Sequence, residues 1–341
     1  MHFLLGAAFF LGSAMASTPE QFDPAVGWAR IVAAMDLELI TAPDRATVDA
    51  TALAALTPSD ATAAAAFEAC RAGTFVQDRD SAEEHRYMAM VRDYHCAAAI
   101  DGFDHEATVQ AFLAALTPRA VYVSEERFAQ TMEASAVAES DPRLSSVMQG
   151  DRLILTLNAF DPGATARVAA ILRGASRAPG GWGSTTIDLR NNVGGELQEV
   201  ASMLDLFVAD GGLFSIRGRR RSDVERFRAT ARTSPAETLP LNVLIDETTE
   251  NGAEIFAHVL RQRRQAVLLG QPTKGTADIR TAMLLTPTSI LLLPTHRIED
   301  NSGVALDNRP VSPDRLLTEA DGDWIGVAAL PPAATPAPPR R

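Results

Sequence analysis

Short apolar runs bounded by turn residues recur through the second half of the chain. "RLILTL" (Arg152–Leu157), "TTIDL" (Thr185–Leu189), "LNVLI" (Leu241–Ile245) and "AVLLG" (Ala266–Gly270) have the length and aliphatic content of buried strands. Between them, Gly163–Leu172, Glu196–Phe207 and Gly252–Leu260 carry apolar residues at helical spacing. Strands alternating with helices predict a layered α/β domain. "SILLLP" (Ser289–Pro294) adds a later strand. The first third has another texture: from Asp23 to about Leu116 it is alanine-rich and reads as helices. "DHEATVQAFLAAL" (Asp104–Leu116) there opens on an aspartate suited to cap a helix.

These patterns divide the chain into a helical domain over residues 17–130, an α/β core over 150–320 and a Pro/Ala-rich disordered tail over 328–341. The looser stretch Glu133–Asp151 joins the first two. Residues 1–16 read as a secretory signal: an apolar stretch from Phe3 to Leu11 precedes Ala14-Met15-Ala16, a small-x-small cleavage site. That stretch is too short to span a bilayer, and no later segment is long and apolar enough to be an integral span. The expectation is an exported protein, periplasmic or extracellular.

A length of 341 residues suits about two domains, and the net charge of −12 argues against nucleic acid as a partner. The arginine clusters Ile216–Arg232 and Arg261–Gln265, interleaved with acids and lacking aromatic platforms, read as solvated surface. The only two cysteines are Cys70 and Cys96. They are too few for a zinc site, even with His95 beside them, and an oxidising compartment favours a Cys70–Cys96 disulfide. No cofactor or metal is expected. His85, His95 and His105 lack metal-ligand spacing, and His258 falls well inside its helix as a packing or surface residue.

Candidate chemistry gathers in three stretches. In "IDLRNNVGGELQEV" (Ile187–Val200) a strand ends in a polar corner, and Gly194-Gly195 then precede a helix. Paired glycines there allow backbone N–H groups to face a ligand, as an oxyanion hole requires. In "LNVLIDETTENGAEIF" (Leu241–Phe256) a strand turns sharply into a helix, where Asn251 and Glu254 have capping-box spacing. "AVLLGQPTKGT" (Ala266–Thr276) carries Lys274, the only lysine beside 30 arginines. A lysine, unlike an arginine, can lose its proton and act as a base.

In this order and spacing, the three stretches resemble the C-terminal processing (tail-specific) serine peptidases. The resemblance covers about Arg152 to Leu317 and touches "LTPRAVYVSEERFA" (Leu116–Ala129), similar to the segment before that family's PDZ domain. Too few residues separate Ala129 from Arg152 for such a domain, so none is expected. The resemblance implies a crotonase/Clp-like core, a serine/lysine dyad and substrates that are extended peptides or protein C-terminal segments. It puts Asn251 at the serine position and Lys274 in the lysine loop, which is about two residues shorter than the family pattern. It also puts Gly194, Gly195 and Gly252 at the oxyanion site. A carboxamide is a poor nucleophile, and three readings stay open. The site is degenerate and binds peptide, or Lys274 works with Thr249 or Thr248, or the fold serves as a non-catalytic ligand-binding or scaffold protein.

Overall fold

The computed structural model describes residues 23–328 except 38, 40–42, 75, 77–80, 118, 125, 129–142, 221, 231–234, 287–288 and 307–308. The proposed signal segment, and all of the proposed tail but Ala328, lie outside the described residues. The described residues divide into two compact units, one built from residues 23–128 with Ile279–His296, the other from residues 143–278 with residues 297–328. Residues 279–296 thus leave the 150–320 interval expected for the core.

The helical unit contains α1 (Pro24–Leu37), α2 (Arg45–Leu56), α3 (Ala61–Gly73), α4 (Ala82–Ala98), α5 (His105–Leu116) and a short strand, β1 (Val121–Val123). Four of the helices begin at residues able to satisfy free backbone N–H groups. Asp44, Asp60, Ser81 and Asp104 accept from Thr47, Ala63, Glu84 and Ala107 N–H. Trp28, Met35, Phe67 and Phe112 are fully buried in one cluster, with the Trp28 and Phe112 rings 5.1 Å apart. Cys70 on α3 and Cys96 on α4 form a disulfide, Cα atoms 5.6 Å apart. His105 sits between two phenols, with Nδ1 2.9 Å from the Tyr94 hydroxyl and Nε2 3.4 Å from that of Tyr122. The register Val121–Leu292 pairs β1 antiparallel with the late segment of this unit.

The core unit holds β2 (Leu144–Gln149), β3 (Arg152–Leu157), α6 (Ala164–Ala175), β4 (Ser184–Asp188), α7 (Leu197–Leu204), β5 (Gly211–Arg217), β6 (Val224–Ala229), β7 (Leu241–Ile245), α8 (Gly252–Arg264) and β8 (Val267–Gly270). After β9 (Asp278–Thr286) and β10 (Ser289–Asp300), which carry the segment shared with the helical unit, come β11 (Arg315–Leu316) and α9 (Trp324–Val327). One sheet runs β11-β8-β7-β4-β3-β2, with every neighbouring pair parallel except β2–β3. All five residues of β7 are buried, as a central strand covered on both faces requires. Phe256 of α8 lies 5.2 Å from the Phe160 ring and 6.2 Å from Phe207, tying the helix over the sheet.

The arginine-rich stretch from Ile216 includes an antiparallel hairpin, β5–β6, whose Arg226 and Arg228 are exposed and in which the Phe214 and Phe227 rings stack at 4.5 Å. The expectation for the second arginine cluster needs revision. Arg261, Arg263 and Arg264 are more than solvated charge, donating to the carbonyls of Ser312, Asp210 and Ala236 on neighbouring segments. No helix among the described residues is long and apolar enough to cross a membrane.

Candidate active site

β4 and β7 are parallel neighbours, in register from Thr185–Leu241 to Asp188–Leu244. Their C-terminal ends therefore open side by side, the place where parallel α/β sheets present ligand sites. The glycine corner leaves β4 there, and the turn into α8 leaves β7. A Cβ placed on Gly194 would lie 2.8 Å from Gly252 N and 2.9 Å from Asn251 Cβ, so the two turns touch through bare backbone. Gly195, at φ +148°, is equally constrained: a Cβ there would sit 2.4 Å from the Phe160 carbonyl oxygen.

Asn192, fully buried, organises the corner. Its Nδ2 donates to the Leu157 carbonyl at 2.7 Å, its Oδ1 accepts from Gly194 N–H at 2.8 Å, and its own carbonyl accepts from Glu250 N–H at 2.9 Å. Gly194 N–H is therefore spent on Asn192 and is not an oxyanion donor, a correction to the expectation for that glycine. Among the described residues no partner is seen for the N–H of Gly195 or Gly252. A Cβ on Gly252 would lie 3.6 Å from Gly195 N, so these two free donors share one small region. Asp188 and Arg190 form a two-pronged ion pair (2.9 and 2.7 Å), and the Arg190 guanidinium stacks 5.5 Å from the Trp324 ring. The pairing with Asp188 holds the Arg190 pKa above its ordinary value, against burial.

The turn after β7 is fastened by Asp246. Its Oδ1 accepts from Thr248 N–H (3.1 Å), Thr248 Oγ1 (2.8 Å) and Thr249 N–H (3.0 Å). Thr249 has no exposed surface, and its hydroxyl lies 3.0 Å from both the Leu189 carbonyl and Asp246 Oδ1. Enclosed in this way, it locks the turn and is not placed to attack a substrate. Thr248 is exposed, and its hydroxyl accepts from Asn191 N–H at 3.0 Å, tying the turn to the glycine corner. Asn251 then precedes α8 with φ 53° and ψ −119°, a region that residues with a Cβ seldom occupy. Such an outlier at a strand-to-helix turn marks functional sites more often than connecting loops. Its Nδ2 donates to the Val193 carbonyl at 3.2 Å.

Glu254, also with no exposed surface, joins the third stretch to the other two. Its carboxylate accepts from Asn251 N–H (3.0 Å), Thr273 Oγ1 (2.5 Å), Gly275 N–H (2.6 Å) and Thr276 N–H (2.7 Å). Burial pushes its pKa above the ordinary carboxylate range, and those four hydrogen bonds oppose the rise. The loop so held carries Lys274, whose N–H donates to the Thr249 carbonyl at 3.1 Å. Its Nζ reaches Glu250 Oε2 at 2.5 Å, with 53% of the side chain exposed. Asn251, Gly252, Gly195 and the Lys274 loop are thus brought together, while Asn192, Asp246 and the hub role of Glu254 were not foreseen. His258 is set apart on α8, Nε2 3.3 Å from Asp300 Oδ2, its pKa lowered by burial.

The model of peptidase family S41 matches residues 152–317, from the first residue of β3 to the residue after β11. Residues 152–317 are a peptidase family S41 domain. The chain is 33% identical over 133 residues to the carboxy-terminal-processing protease of Bartonella bacilliformis, covering 39% of this chain and 30% of that protein. It is 28% identical over 137 residues to the chloroplastic carboxyl-terminal-processing peptidase 2 of Arabidopsis thaliana, covering 39% and 26%. The matches thus span about a third of the length of these relatives. Two solved structures share the fold over almost the whole chain, each at 12% identity. They are a lipoprotein from Streptococcus agalactiae (TM-score 0.57, 92% of this chain and 99% of that one) and a candidate peptidase from Parabacteroides merdae (TM-score 0.55, 90% and 97%).

Proposed function

We propose that this protein is an exported member of the tail-specific peptidase group that binds extended peptide segments at a site whose serine/lysine dyad is degenerate. The observation that carries the reading is the asymmetry of the site. The half that would hold a peptide carbonyl keeps two of its three expected donors, since among the described residues the Gly195 and Gly252 N–H groups are unengaged and close together. The half that would attack it has a carboxamide, Asn251, on the turn. Lys274 is retained in its loop, with its amine against Glu250. The Thr249 alternative loses ground because that hydroxyl is buried, and the Thr248 hydroxyl is engaged with Asn191 and Asp246. Export is supported by the leader-like first residues and by the Cys70–Cys96 disulfide, a bond favoured outside the cytosol.

The reading is tested by fluorescence anisotropy with labelled unstructured peptides, carrying a free or an amidated C-terminus, alongside mass spectrometry of the same mixtures. Saturable binding with the peptides recovered uncut is expected. Rapid cleavage, or no binding at millimolar protein, would contradict it.

A further inference from the structure

Asn251 and Gly252 hold a second chemistry in the same turn, one that needs no ligand and is independent of the peptide-binding reading. Asn251 sits at ψ −119°. Tetrahedral geometry at Cα then nearly eclipses its Cα–Cβ bond with the C–N bond to Gly252. That arrangement is the one a five-membered ring closed between Asn251 Cγ and Gly252 N would have. Residue 252 is glycine, so no side chain crowds the attacking nitrogen. Its N–H has no hydrogen-bond partner among the described residues. The leaving nitrogen, Asn251 Nδ2, is held on the Val193 carbonyl at 3.2 Å, and Asn251 is partly open to water.

From this geometry we infer that Asn251 is a self-modification site, converted by the fold from asparagine to aspartate or isoaspartate. Gly252 N attacks Asn251 Cγ, and the N–Cγ bond forms. The amide proton passes through water to Nδ2, the Cγ–Nδ2 bond breaks, and ammonia leaves a cyclic imide. Water then opens the ring, at Cγ to give aspartate or at the main-chain carbonyl to give isoaspartate. One water is consumed and one ammonia released, with no oxidant or cofactor. Most folded segments slow this reaction by holding the backbone away from ring closure. Here the fold holds the torsion that closure needs, and orientation of that kind accelerates an intramolecular attack.

The product adds a carboxylate to a turn where Glu250 already meets Lys274 Nζ at 2.5 Å. The modification would therefore change the charge of the turn by one unit.

The experiment compares the native full chain with the same chain held unfolded in urea, both at one mildly alkaline pH. Conversion at Asn251 is followed by peptide mapping that separates aspartate from isoaspartate, with ammonia release measured in parallel. The native chain is expected to convert at least about fivefold faster than the unfolded one. Equal or slower conversion in the native chain would overturn the inference, because the fold would then be protecting the pair. The comparison uses one sequence throughout, so no variant that fails to fold can obscure it.

Discussion

Replacing Glu254 with glutamine removes one acceptor from a buried carboxylate that takes four close hydrogen bonds and a longer fifth from Thr276 Oγ1 at 3.3 Å, and the structure indicates how the loss divides. If the new NH2 faced Asn251 N–H and Thr276 N–H, two backbone donors would be orphaned. Facing the other way it meets Thr273 Oγ1, which already accepts from Val311 N–H and can take a second donor, so one backbone donor, Gly275 N–H, is orphaned and the Thr273 hydroxyl proton must turn away from its acceptor. The second arrangement wins. One unsatisfied buried N–H costs about 1–3 kcal/mol, and loss of charge from the remaining bonds adds about 1 kcal/mol. Relief of the burial that raises the Glu254 pKa offsets part of this, leaving about 2 kcal/mol. For a unit of this size that is a fall of roughly 4–8 °C in Tm. Hydrogen exchange should localise it, with Gly275 and Thr276 N–H losing protection first.

The pH dependence has a definite sign. A carboxyl whose folded pKa lies above its unfolded value of 4.5 binds protons more readily in the folded state. Its contribution therefore falls as pH rises from 4.5 through the raised folded value. The stability difference between Glu254→Gln and wild type should narrow over that window. A variant as stable as wild type, with Gly275 still protected, would refute the hub assignment.

Two further outcomes follow from packing. Gly195→Ala should cost about 3 kcal/mol or leave the protein insoluble, since the Cβ would fall 2.4 Å from the Phe160 carbonyl; solubility and urea unfolding check it. Replacing Cys70 and Cys96 with serine should destabilise the helical unit by about 3.5 kcal/mol, the loop-closure value for a separation of 26 residues, read from its denaturation midpoint.

Much of the core was legible because its strands are short, wholly apolar and bounded by turns. "RLILTL" and "LNVLI" coincide with β3 and β7, and Asp104 caps α5 as its spacing implied. Elements off that pattern were missed. β2 is a mostly exposed strand, so "LSSVMQ" lacks the buried run that marked its neighbours. In β5–β6 the density of arginine hid the alternation around Phe214 and Phe227. β10 runs to Asp300, beyond Pro294, where the strand reading stopped. At the site, the glycines and Lys274 were visible as residue types at telling positions. The hub role of Glu254 was not, because its partners lie 19 to 22 residues further along and only the folded loop brings them back. Gly194 was misread for a related reason: Asn192, two residues before it, takes its N–H, and spacing alone does not show which donor is spent.

The central claim, that carbonyl-binding geometry survives without a nucleophile, is tested most directly by labelling with a fluorophosphonate probe. Wild type, Asn251→Ser and the double variant Asn251→Ser/Lys274→Arg would be compared at equal concentration. The account expects no labelling of wild type and stoichiometric labelling at residue 251 in Asn251→Ser. It expects loss of labelling in the double variant, because arginine stays protonated and supplies no base. Labelling of wild type at Thr248 or Thr249 would contradict it, whereas a correctly folded but inert Asn251→Ser protein would mean that Lys274 is not placed as a base and would leave the binding reading to stand alone.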